Sequence, residues 1–218
     1  MKKMLSVIAV LIMVASLSTA LALEKDEALA LAQSLVGEAK LTEAELEKGV
    51  FEFEFRDASA EYDVKIRNDG EVLEVKTEFF GVKKSAASVY SVEAAQDKAR
   101  ALYPDADVLL ALTERDDGFY SIKVFLRSAD ALIEAEFSAD TGETMEITVF
   151  PMDSPAGIGA DEVPDIIEKW MAGAQLTQLE LAVDDGRRVY DGEATADGKR
   201  FEFELELETG NIVKWERD

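Results

Sequence analysis

The side chains in this chain that could do chemistry are carboxylates. The sequence contains no histidine and no cysteine. That removes disulfides, thiol nucleophiles, Cys/His zinc sites and every Ser-His or Cys-His pair. Glu202, Glu204, Glu206 and Glu208 form the densest acidic run, and paired carboxylates can act as acid and base or ligate calcium. Their alternation with Phe201, Phe203, Leu205 and Leu207 reads instead as the solvated face of a strand. Glu193-x-Thr195-x-Asp197-Gly198, with Glu204 beyond it, has a superficial calcium-loop spacing. It lacks the leading Asp and puts Glu204 inside a strand, so it fails the loop rule. No phosphate loop and no Gly-x-Ser-x-Gly elbow is present. The expectation is therefore a non-enzyme, with no catalytic residue, no metal ligand and no cofactor.

Two aromatic features could serve binding. Phe51, Phe53 and Phe55 alternate with Glu52 and Glu54, which makes them either a platform or the core beneath a helix; the period favours core. Trp170 falls on an apolar helical stripe and is expected inside. Trp215, beside charged residues, is the better surface candidate.

The whole chain is acidic. Its 218 residues carry a formal net charge of −23, with 48% hydrophobic residues, enough for packed cores. Such a surface repels phosphate backbones and anionic lipid headgroups, so no nucleic acid is expected as partner, and no membrane beyond a leader segment. It favours cationic partners.

Those side chains need elements to position them. Three amphipathic helical patterns recur: Glu24 to Lys40, Ser91 to Tyr103 and Asp161 to Ala174, each with apolar residues at i, i+3/i+4 spacing. After each comes a train of strands. Asn68-Asp69-Gly70, Asp140-Thr141-Gly142 and Thr209-Gly210-Asn211 turn into the last strand of each train, with glycines 72 and 68 positions apart. Leu41 to Glu47 reads as an additional first strand, though its composition also permits helix. The predicted class is α+β: three tandem repeats of one helix packed on a four-stranded antiparallel sheet. The expected boundaries are 23–80, 91–150 and 161–218, with linkers at 81–90 and 151–160. One sheet face should be apolar and the other a solvated, carboxylate-rich surface.

At the N-terminus, Lys2 and Lys3 precede the apolar run Met4 to Leu17 and the small-x-small site Ala20-Leu21-Ala22. This is the layout of a secretory signal peptide over 1–22, cleaved after Ala22. An uncleaved N-terminal anchor is the alternative. No cysteine follows the run, so lipid attachment there is excluded. The expected location is extracytoplasmic, secreted or in the cell envelope.

The element order and the closing turns resemble the PepSY repeat. Asp26-Glu27-Ala28 and Glu93-Ala94-Ala95 echo its acidic-alanine helix start. Ser138 to Glu143 and Glu206 to Asn211 match its Asp-x-Thr-Gly-Glu-like turn, while Arg67 to Glu71 matches loosely. The resemblance implies a bacterial envelope protein that modulates or inhibits a peptidase or cell-wall hydrolase without catalysis of its own. The sequence closes at Asp218 without a peptidase domain, so that action is expected in trans. The other reading is an acidic interaction or scaffold module for a cationic partner or cations.

Overall fold

The computed structural model describes residues 23–116, 118–152 and 157–217. The expected signal peptide over 1–22, and parts of the second linker, lie outside the described residues. Within them the chain order is α1 (Lys25–Val36), β1 (Lys40–Glu47), β2 (Val50–Arg56), β3 (Ala60–Arg67) and β4 (Val72–Phe79), followed by α2 (Val92–Leu102), β5 (Asp107–Asp116), β6 (Phe119–Arg127), β7 (Ala131–Ser138) and β8 (Thr144–Pro151). The last group is α3 (Val163–Trp170), β9 (Gln175–Asp184), β10 (Arg187–Ala196), β11 (Lys199–Glu206) and β12 (Ile212–Arg217).

Helices form where caps and small residues allow. The Ser91 hydroxyl accepts the Ala94 N–H at 3.1 Å and starts α2. Gly37, at φ 70°, stops α1 short of the expected Lys40. Leu41 to Glu47 then forms strand, not helix, as part of β1. Ala28, Ala32, Ala95 and Ala99 are fully buried, so α1 and α2 lie close on their sheets.

The expected class fails at the level of sheets. Among the described residues twelve strands make two antiparallel sheets, one of eight strands in the order β1-β2-β3-β4-β8-β7-β6-β5 and one of four, β12-β11-β10-β9. The described chain is mostly β, not three copies of a helix on its own four-stranded sheet. Strands β4 and β8, each last in its group, pair antiparallel from Val75↔Val149 to Glu78↔Glu146. Two open edges facing each other leave backbone groups unpaired, and joining them satisfies both at once.

The small sheet packs on the opposite face of the large one, for a reason of length. A helix of the size of α3 spans only ~12 Å, whereas a strand the size of β9 or β10 spans ~33 Å. Most of the apolar face carrying Leu179, Leu181, Tyr190, Phe203 and Leu205 is therefore left for something other than α3 to cover. Phe125, Leu132 and Phe150, on the face of the large sheet turned away from α2, join that core. Gly192 makes room for it, since a Cβ there would lie 2.6 Å from the Phe203 ring.

Arg188 fastens the two sheets. Its guanidinium donates to the carbonyls of Val72 (3.0 Å), Leu73 (3.3 Å) and Pro151 (2.8 Å) and pairs with Glu71 at 2.8 Å. Nearby, Lys48 in the β1–β2 turn pairs with Asp185 in the β9–β10 turn. Replacing Arg188 by Ala removes its donors from three carbonyls and leaves Glu71 with Arg67 alone. The expected loss is about 3 kcal/mol of unfolding free energy, read from urea denaturation, with R188K recovering only part of it.

Candidate functional site

The large sheet's second face carries the chemistry. Alternation places Glu43 and Glu45 of β1, Glu52 and Glu54 of β2, Asp63 and Lys65 of β3, and Glu74 and Lys76 of β4 on it. It continues through Glu146 of β8, Glu134 of β7, Lys123 of β6 and Glu114 of β5. The small sheet lies across this row and divides it into a buried half and an open half.

In the buried half the row meets β9, the edge of the small sheet. The Leu179 N–H donates to Glu114 Oε1 at 2.7 Å, and the Leu181 N–H to Glu134 Oε2 at 2.7 Å. Lys123 Nζ sits between the carboxylates, 3.4 Å from Glu114 and 3.1 Å from Glu134, and reaches the Leu179 carbonyl at 3.3 Å. The edge of β9 is thus paired by side chains instead of by another strand. Burial pushes Glu114 up to about 7 and Glu134 up to about 8, against the attraction of Lys123. Burial opposes the charge on Lys123, yet Glu134 and Glu114 hold it well above the ordinary lysine range. One ammonium balances one carboxylate, so the pair retains a proton beyond the usual carboxylate range.

The open half is a groove of about 420 Å³ between β1–β4 and the β9 edge. Eight carboxylates and two lysines line it: Glu43, Glu45, Glu52, Glu54, Asp63, Glu74, Glu146 and Glu180 against Lys65 and Lys76. Lys65 pairs with Glu74 at 3.4 Å and Lys76 with Glu146 at 3.0 Å. Glu180 is 3.6 Å from Lys123. Glu43, Glu45, Glu52, Glu54 and Asp63 form no ion pair among the described residues. Burial raises the Glu54 pKa, and repulsion from Asp63, Glu43, Glu61 and Glu45 adds to it.

The sequence-predicted features are distributed differently. Glu202 and Glu204 face outward on β11, where Lys214 lies 3.9 and 3.5 Å from them; Glu206 accepts from Thr209. Glu193, Asp197 and Glu204 are not gathered around a common point, and among the described residues no group of three or more acidic side chains could hold a metal ion. Phe51, Phe53 and Phe55 lie buried in the core with Ala28 and Ala32 of α1. The tryptophans exchange places: Trp170 is 59% exposed, because α3 ends with it, and Trp215 is half-buried, stacked on Phe201 and Phe203. The expected solvated carboxylate face is corrected at Glu74, Glu114 and Glu134, which are buried. A signal for two of the buried charges existed. Lys123 interrupts the apolar run Ile122 to Leu126, and Glu134 stands between Ile133 and Ala135.

No family model and no curated protein matches the sequence. What fold and site define, among the described residues, is an antiparallel two-sheet β protein with three short α-helices and an acidic groove. Among solved structures the chain is similar to a lipoprotein-like protein from Clostridium difficile 630, at 16% identity and a TM-score of 0.34, covering 63% of this chain and 100% of that one. It is also similar to the C-terminal domain of YpeB from Bacillus megaterium, at 15% identity and a TM-score of 0.34, covering 90% of this chain and 98% of that one. At that level of superposition neither likeness carries an argument about activity. Among the described residues no helix is long and apolar enough to cross a membrane.

The buried trio sets a pH dependence. Glu114 and Glu134 bind protons more tightly in the folded protein than an ordinary glutamate does, so the native state holds more protons from the usual carboxylate range up to about 8. Stability then falls as pH rises through this window. The urea midpoint should drop from pH 5 to pH 8. E134Q, which keeps an oxygen for the Leu181 N–H and removes the charge, should flatten that slope.

Proposed function

We propose that this chain is a non-catalytic, extracytoplasmic interaction module that holds a cationic segment of a protein partner in the groove beside β1. The observation that carries this reading is the charge imbalance of the groove. Glu43, Glu45, Glu52 and Glu54 face one another there without an ion pair among the described residues, and the two lysines, which also attract Asp63, are already paired with Glu74 and Glu146. Like charges held this close raise one another's free energy, and an incoming ammonium or guanidinium relieves it. The groove is also the surface left open where the small sheet stops, so a segment can enter without displacing packed side chains.

Catalysis has little support. The carboxylates with the most perturbed proton affinity, Glu114 and Glu134, are occupied by the β9 backbone and by Lys123. Extracytoplasmic location rests on the N-terminal layout of Lys2, Lys3 and Ala20-Leu21-Ala22. The PepSY resemblance names the class of partner that would carry the cationic segment, a secreted peptidase or a cell-wall hydrolase held in trans.

Binding of a fluorescent oligolysine peptide tests the reading. Affinity should fall as ionic strength rises. The triple variant E43Q/E52Q/E54Q should bind about tenfold more weakly at low salt, from three partly exposed charges. Equal binding by variant and parent, or binding insensitive to salt, would sink it.

A further inference from the structure

The groove is bordered by a strand edge whose backbone is open. The turn Lys48-Gly49 has two residues with φ 48° and 85°, a tight hairpin turn, so the flanking pair Glu47↔Val50 exchanges both backbone hydrogen bonds. Counting back along β1, Ala44 and Leu46 must point their N–H and C=O groups away from β2. The Ala44 carbonyl accepts from the exposed ammonium of Lys25 at 3.1 Å. Among the described residues the Ala44 and Leu46 N–H groups have no acceptor.

The edge of β9 shows what such groups require. The turn Asp185-Gly186 has φ 48° and 75°, and counting back from it in the same way gives Val183, then Leu181 and, one step further, Leu179. The N–H groups of Leu181 and Leu179 are the ones bonded to Glu134 and Glu114. Leu181, the counterpart of Ala44, thus has its outward N–H received within the chain, whereas the Ala44 N–H has no such acceptor among the described residues.

Resting on the interaction reading above, we propose that the partner's cationic segment docks as an extended strand on the edge of β1, with lysine or arginine at every second residue. Period two turns its basic side chains to the face of Glu43 and Glu45 and its other residues to the face of Ala44 and Leu46. Leu46 is 59% exposed, an apolar contact for those alternate residues. The charges select the occupant. A second copy of this strand would set Glu43, Glu45 and Glu47 against their own kind, a repulsion that protects the edge from self-pairing. A basic strand meets attraction at the same positions. Lys25 is the side chain that would be displaced, and its place on the Ala44 carbonyl passes to a backbone N–H.

The test uses an alternating lysine–valine octapeptide, and the same peptide N-methylated on the backbone nitrogens that would face β1, at low salt. N-methylation keeps the charge and removes the strand donors. The methylated peptide should bind about tenfold more weakly, and the unmodified one should slow amide exchange at Ala44 and Leu46. A44P, which removes an outward N–H at an edge position where proline is tolerated, should weaken binding similarly. If A44P does not fold, the two peptides and amide exchange on the parent protein still decide. Equal binding of both peptides without protection of those amides overturns the strand pairing and leaves the groove reading standing. No binding of either overturns both. Protection at Ala44 and Leu46 that grows with protein concentration alone assigns the edge to a second copy and overturns the basic partner.

Discussion

The backbone donors of Leu179 and Leu181 have no strand to pair with, and the molecule's second layer depends on what receives them. A buried N–H without an acceptor costs more than an ordinary hydrogen bond contributes. Glu114 and Glu134 supply acceptors, and Lys123 keeps their charge tolerable. This arrangement fixes where β9 crosses the large sheet. Everything on one side of the crossing is sealed, and everything on the other is groove. Arg188 performs a parallel service at the far end of the same contact, giving its donors to carbonyls of β4 and β8.

Local structure was legible in the sequence to the extent that it depends on short-range chemistry. Gly70, Gly142 and Gly210 all adopt the positive φ that their turns require. Phe51, Phe53 and Phe55 face the core as period two demands. Legibility ends where contact between units takes over. Periodicity assigns a residue to a face but does not say what covers that face. Alternation therefore put Glu114 and Glu134 on the correct side of their strands and the wrong side of the water boundary. The joining of β4 to β8 has no sequence signature of its own, since an edge strand and a central one share the same alternation. A hint lay in β6, β7 and β8, where Phe125, Leu132 and Phe150 add apolar residues on the supposedly polar face, the pattern of strands covered on both sides.

The site shows the same division. Its carboxylates can be read from the sequence one strand at a time. Their convergence cannot, because Glu43, Glu54, Asp63 and Glu180 come from four strands in two sheets. Net charge pointed toward cationic partners in general. The structure localises that tendency to one groove, because elsewhere on the same face lysines and backbone donors neutralise the acid.

The seam between β4 and β8 also orders assembly. Among the described residues every other strand pairing joins neighbours in the chain, whereas Val75 and Val149 are brought together across α2 and β5–β7. Loop-closure entropy therefore places the seam after the hairpins on either side of it. Until it closes, two complete meanders coexist, each ending in a strand with unpaired hydrogen-bonding groups. A chain in that state has its own second half as the nearest matching edge, at a local concentration no other molecule can equal.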